Sequence, residues 1–178
     1  MRPTLTNIDV SKVKATMKDA DILGVSIAYV DQHAVSPICM TLGRVDSEST
    51  APNVMSDTPF AAASLSKPVF TYLILTLLPE LGWSLDTKLN DIYPFDAFCR
   101  ECGFLWAATP DNSARAGQFT VGMALSHQTG LPVTYSNNDG PFSFEFEPAT
   151  AFGYSRIPVY YLQKVLEHGK GIDLEARS

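Results

Sequence analysis

Basic residues are scarce in this sequence and nowhere gathered: 13 Lys and Arg against 19 Asp and Glu leave a net charge of −6, with no stripe of cations able to follow a phosphate backbone. Nucleic acid is therefore not an expected partner. Cysteine is equally sparse. Cys39, Cys99 and Cys102 are too few for a disulfide framework, and Cys99-Arg100-Glu101-Cys102 lacks the second pair or neighbouring histidines that would complete a zinc site. Neither a metal nor a cofactor is expected. Long apolar runs are missing as well. The longest, Val69 to Leu78, is about half the length a membrane span requires, and reads instead as a helix enclosed on all sides. The first residues, where Lys12, Lys14 and Lys18 mix with Asp9, Asp19 and Asp21, contain no apolar core followed by small residues. No secretory signal is visible, which favours the cytoplasm.

What is present is 46% hydrophobic and 18% charged, with mean hydropathy +0.03, the profile of a globular domain or part of one. Val10, Val13 and Met17 recur at helical spacing and predict a short amphipathic helix at the start. From Leu23 to Val30, Val25, Ile27 and Tyr29 alternate with Ser26 and Ala28. A second β-prone run, Ala34 to Leu42, follows the polar Asp31-Gln32-His33, so the pair reads as a hairpin. Gly43 to Pro59 is polar and reads as a long loop.

Pro68 is tolerated only near a helix start, which places the beginning of the Val69–Leu78 helix around Ser64. Between Gly82 and Gln118, prolines and glycines among scattered aromatics predict irregular structure with short helices and no repeat. Thr120 to His127 is helical in pattern and stops at Gly130-Leu131-Pro132. A polar loop from Thr134 to Gly140 follows. The last helix runs through Val159, Leu162, Val165 and Leu166, and Gly169 is expected to end it.

One constellation carries chemistry. A serine hydroxyl is a poor nucleophile, and a lysine three residues later on the same helix face can take its proton when its surroundings keep the amine neutral. Ser-x-x-Lys occurs twice, at Ser11 to Lys14 and at Ser64 to Lys67. Ser11 lies on a charged amphipathic helix, where Lys14 would be solvated and protonated. Ser64 opens the most apolar helix of the chain behind three alanines, and context selects Ser64 and Lys67.

Phe60-Ala-Ala-Ala-Ser-Leu-Ser-Lys-Pro-Val-Phe70 resembles the nucleophile motif of the serine β-lactamase and penicillin-binding-protein-like hydrolases, especially their class C and esterase branch. Three further segments follow in the family's order: Leu85-Asp-Thr-Lys-Leu-Asn-Asp-Ile-Tyr-Pro94; Leu125-Ser-His-Gln-Thr-Gly-Leu-Pro132; and Phe146-Glu-Pro148 with Phe152-Gly-Tyr-Ser-Arg-Ile-Pro-Val-Tyr-Tyr-Leu162. The last is similar to the element carrying the family's Tyr-Ser-Asn. The resemblance spans roughly residues 20 to 175.

That resemblance implies an α/β (α+β) chain with a β-lactamase/transpeptidase-like fold, an antiparallel sheet plus a helical region, with the C-terminal strands lacking. Residues 1–178 would form one incomplete β-lactamase-like domain, with an N-terminal helix in 1–22, a hairpin in 23–45 and a helical region carrying the motifs in 60–178. It also implies a catalytic set of Ser64, Lys67 and Tyr154, in which Tyr154 shuttles a proton between Ser64 and the leaving group and Ser64 is acylated and then freed by water. Either Lys67 or Tyr154 could be the base. Tyr135-Ser136-Asn137 spells the tripeptide without error, yet it stands in a loop with no helix behind it, whereas Tyr154 leads into an apolar helix. Arg156 replaces the family's Asn. A charged fork in place of a neutral amide would favour a carboxylate-bearing substrate or block the pocket. His127 is expected to satisfy helix-end carbonyls, and His33 and His168 carry no role.

The family's third element, Lys-Thr-Gly or His-x-Gly on an edge strand, would supply half of the oxyanion hole. It is missing from the sequence. His168-Gly-Lys-Gly171 offers similar letters but directly follows the last helix. The sequence thus reads as part of a longer protein, and its open hairpin edge would favour self-association. Two functions are consistent with it. One is a serine hydrolase acting on an ester, amide or β-lactam, and the other is a non-catalytic or truncated relative with a binding role.

Overall fold

The computed structural model describes residues 9–30, 38–136, 140–174 and 176. The expected turn at Asp31-Gln32-His33, the start of the second strand up to residue 37, and Asn137 of the second tyrosine motif lie outside the described residues. The chain divides into two compact units, Met1–Ala62 and Ala63–Ser178.

In the first unit, α1 spans Val10–Asp19, and the Asp9 carboxylate caps it by accepting from the backbone N–H groups of Ser11 and Lys12, which have no helical partner of their own. Strands β1 (Gly24–Tyr29) and β2 (Ile38–Gly43) pair antiparallel in a register running from Gly24 opposite Gly43 to Tyr29 opposite Ile38. Along β1, Val25, Ile27 and Tyr29 are half-buried and Ser26 and Ala28 exposed, the two-residue alternation expected of a pleated strand. A Cβ on Gly24 would meet the Arg44 carbonyl oxygen at 2.3 Å, so only glycine lets the loop after β2 fold back there. Among the described residues the sheet has two strands, each with one unpaired edge.

The second unit opens with a 3-10 turn, Ala63–Leu65, that runs into α2 (Ser66–Leu81). Short helices α3 (Phe95–Glu101), α4 (Pro110–Ala116) and α5 (Val121–Leu125) follow, then α6 (Ile157–Lys170). Threonines begin two of them: Thr109 and Thr120 hydroxyls accept from the N–H groups of Asn112 and Met123. Buried Phe95 is the hub of the core, meeting Tyr161, Trp106 and Phe119 edge-on at 5.0, 5.1 and 5.3 Å between centroids. α6 contributes Tyr161, Leu162, Val165 and Leu166, a stripe at helical spacing. It continues through Gly169 and is capped by Gly171 at φ +64. Gly169 therefore does not end the helix. A Cβ there would meet Ile92 Cγ2 at 2.3 Å, and its role is close packing.

The expectation that α2 is enclosed on all sides is not met. Ile74, Leu77 and Leu78 are buried, whereas Leu65, Val69 and Tyr72 are 75, 71 and 72% exposed. The core lies along one side of this helix only, so residues three to four apart on the other side stay open.

Candidate active site

Ala63 has φ +46, a left-handed backbone that costs a non-glycine residue about 1–2 kcal/mol and that recurs where a functional group must be presented. The next residue, Ser64, stands exposed on the 3-10 turn heading α2. Lys67 lies one helical turn on, and its Nζ donates to Ser64 Oγ at 3.1 Å. Tyr154, 90 residues later, brings its hydroxyl to 2.7 Å from the same Oγ. Lys67 Nζ also lies 5.2 Å from the Tyr154 ring centroid. Hydrogen bonding from Lys67, and then from Ser64, holds the Tyr154 phenol below its ordinary 10.0 against the opposing effect of burial, and the charges of Lys67 and Arg156 add smaller effects in the same downward direction. These three groups share a cleft of about 480 Å³ with Pro68, Thr71 and His127. Ser64 on the 3-10 turn and Lys67, Thr71 and Leu75 on α2 follow one another at intervals of three to four residues, a periodicity readable from the sequence.

Tyr154 reaches the serine because two loops are stitched together. Segment 145–156 donates four backbone hydrogen bonds to carbonyls of segment 127–133: Glu145 N–H to Gly130, Ala149 N–H to Gln128, Gly153 N–H to His127 and Arg156 N–H to Val133, at 2.8 to 3.3 Å. Ser155 Oγ adds a bond to the Pro132 carbonyl at 2.6 Å. The Leu125–Pro132 motif thus serves as the bed on which the tyrosine segment lies.

Tyr135 is elsewhere. Its hydroxyl accepts from the Leu105 N–H at 2.9 Å, and its ring packs on Phe104 and Phe142. Lys14 and Ser11 lie on α1 in the other unit. Arg156 lines a separate cavity of about 280 Å³ walled by Phe104, Tyr135 and Tyr160. Its guanidinium makes no ion pair or hydrogen bond with a described residue. His127 differs from expectation. Rather than satisfying helix-end carbonyls, its Nδ1 accepts from the Ser155 N–H at 3.3 Å, because a φ of +57 turns the residue away from α5 and toward the tyrosine segment. The letters His168-Gly-Lys-Gly171 fall at the end of α6 and form no strand. Among the described residues no group of three or more His, Cys, Asp or Glu could hold a metal ion, and no helix is long and apolar enough to cross a membrane.

A family model described as Beta-lactamase matches residues 10–175. No curated protein matches the chain. Among solved structures, a candidate beta-lactamase from Bacteroides dorei DSM 17855 superposes with a TM-score of 0.63 at 16% identity, over 92% of this chain and 46% of that one. A candidate 6-aminohexanoate-dimer hydrolase from Bacillus anthracis superposes with a TM-score of 0.55 at 15% identity, over 91% of this chain and 44% of that one. The chain spans less than half the length of both.

Proposed function

From the premise that the chain belongs to the beta-lactamase family and has its β-lactamase/transpeptidase-like fold, we propose that it carries the nucleophile side of a serine hydrolase site, with Ser64 as nucleophile. The observation that supports this most is the Ser64 Oγ held at 2.7 Å from the Tyr154 hydroxyl and 3.1 Å from Lys67 Nζ. Ser64 Oγ attacks the carbonyl carbon of an ester, amide or β-lactam, and its proton passes to the Lys67 amine or the Tyr154 phenolate, both within one hydrogen bond. The tetrahedral intermediate collapses as the leaving group takes that proton. An acyl-Ser64 ester remains, and water, deprotonated by the same base, hydrolyses it. The Ser64 N–H, at the start of a helix where backbone donors have no internal partner, would supply one oxyanion donor. By resemblance the second belongs to the Lys-Thr-Gly or His-x-Gly strand, which this sequence does not contain.

Arg156 supports a substrate class. Its guanidinium, which no described residue pairs, sits two residues from Tyr154 among aromatic walls, an arrangement suited to a carboxylate on the substrate, held by a bidentate pair with apolar surface beside it. A binding role without turnover is the second reading, favoured by the charged Arg156 standing where the family carries a neutral Asn.

A fluorophosphonate and a penicillin-type acylating probe test the nucleophile by intact-mass analysis. Ser64→Ala is expected to abolish labelling and Ser11→Ala to leave it unchanged; labelling that survives Ser64→Ala refutes the assignment. Turnover of a chromogenic ester by residues 1–178 alone is expected to be weak, since loss of one oxyanion donor typically lowers the rate about a hundred- to a thousandfold.

A further inference from the structure

We propose that His127 is the positioning residue that holds Tyr154 against Ser64, and that it does so as the neutral imidazole; this rests on the Ser64 reading above. His127 adopts φ +57 without being glycine, a conformation that L side chains disfavour and that is retained where the surroundings over-determine it. The consequence is that its backbone and its side chain both face the tyrosine segment. The His127 carbonyl accepts from the Gly153 N–H at 2.9 Å, and Nδ1 accepts from the Ser155 N–H at 3.3 Å. Gly153 and Ser155 flank Tyr154, which is thereby clamped on both sides. The imidazole also packs 4.6 Å from the Tyr154 ring and meets Phe152 edge-on at 5.9 Å. His127 also lines the cleft that contains Ser64 and Lys67.

An imidazole nitrogen accepts a hydrogen bond only while it carries no proton. With Nδ1 accepting, the neutral ring keeps its proton on Nε2. A proton on Nδ1 would set two donors against each other at Ser155 and place a second positive charge near Lys67. The titratable groups facing His127 are Lys67 from α2 and Tyr154 from the segment before α6. Burial holds the His127 pKa below its usual 6.5, and the Lys67 charge pushes the same way. Because the folded value lies below the unfolded one, the stability this ring contributes is present above the unfolded pKa and is lost as pH falls through the folded one.

The test follows the rate at which a fluorophosphonate labels Ser64 of the 178-residue chain from acid to mildly alkaline pH. His127→Asn tolerates positive φ and keeps an oxygen acceptor near the place of Nδ1, whereas His127→Ala keeps neither ring nor acceptor. His127→Ala is expected to slow labelling about tenfold or more, the scale of a misplaced catalytic group. The wild-type rate is expected to fall at acid pH as His127 gains a proton, and His127→Asn should recover most of the neutral-pH rate and lose that acid limb. A purely structural role would lower the melting temperature of both variants and leave the acid limb in place. Either that limb persisting in His127→Asn or a folded His127→Ala labelling at the wild-type rate would overturn the proposal. Phenol absorbance, taken as the difference from Tyr154→Phe, is a readout independent of Ser64 reactivity. In His127→Ala the Tyr154 titration should move back toward the ordinary tyrosine range. If the wild type does not label at all, the nucleophile reading fails, and an unmoved phenol titration would then separately refute the clamp.

Discussion

Replacing Gly130 by alanine should separate backbone strain from collision at the junction that supports Tyr154. Gly130 has φ +76, and a Cβ there would stand 2.1 Å from the Phe146 carbonyl oxygen and 3.1 Å from its carbon. The left-handed backbone alone costs an L residue about 1–2 kcal/mol. Because the obstacle is main chain, no rotamer change relieves it. Segment 144–146 must move away, and the 2.8 Å bond from the Glu145 N–H to the Gly130 carbonyl goes with it, at about 1 kcal/mol. Together these amount to roughly 2–3 kcal/mol, or a Tm lower by about 4–12 °C for a chain of this size. Gly82→Ala is the matched control, since Gly82 has φ +65 and nothing within 4 Å of a built Cβ, and it carries the strain without the collision. Thermal unfolding followed by circular dichroism compares the two directly. Gly130→Ala should melt several degrees below Gly82→Ala and should alone slow labelling of Ser64, because the displaced segment leads to Tyr154. Equal melting temperatures would refute the assignment of a collision at Phe146.

Three further outcomes follow from the site and its surroundings. Since hydrogen bonds from Lys67 and then Ser64 lower the Tyr154 pKa from 10.0, the labelling rate should rise through a pKa below that value. Lys67→Met should shift this limb upward and Tyr154→Phe remove it; a limb unaffected by Tyr154→Phe would assign the titration to another group. Arg156→Asn should reduce the preference for an ester bearing a free carboxylate over its neutral analogue by about ten- to a hundredfold, the scale of a charge-assisted hydrogen bond, and an unchanged ratio of kcat/KM or labelling rates would remove Arg156 from recognition. The 71%-exposed Val69, beside Leu65 and Tyr72, forms an apolar strip on α2 of the kind that promotes association. Light scattering of the 178-residue chain should show mass rising with concentration and Val69→Lys should reduce it, whereas a wild-type monomer at all concentrations would contradict this.

Much of the local structure was legible in the residue order because its causes are local. Asp9 and Thr120 cap helices through N–H groups two or three residues away, β1 alternates because successive side chains point to opposite faces, and helical spacing alone sets Lys67 above Ser64. Short-range rules failed where a position is defined by a distant neighbour. Gly169 has the composition of a helix stop, yet the approach of Ile92 decides its use. The apolar run of α2 matches a fully enclosed helix, but what covers a helix depends on where other elements lie, and here they line one side.

The two tyrosine motifs show the division most sharply. Spelling favoured Tyr135 and context favoured Tyr154, but the choice rests on a contact across 90 residues and on the Leu105 N–H and the Phe104 and Phe142 rings that occupy Tyr135. The sequence placed His127 at a helix end but did not reveal the contacts it makes there. Its orientation depends on a backbone angle of +57° and on a hydrogen bond to a residue 28 positions away. By itself the sequence determined which groups stand one helical turn apart at Ser64, because a helix converts spacing into distance. The partner that completes the site was decided by tertiary structure alone, because loop residues far apart in the chain acquire a fixed separation only when their backbones are hydrogen-bonded to each other.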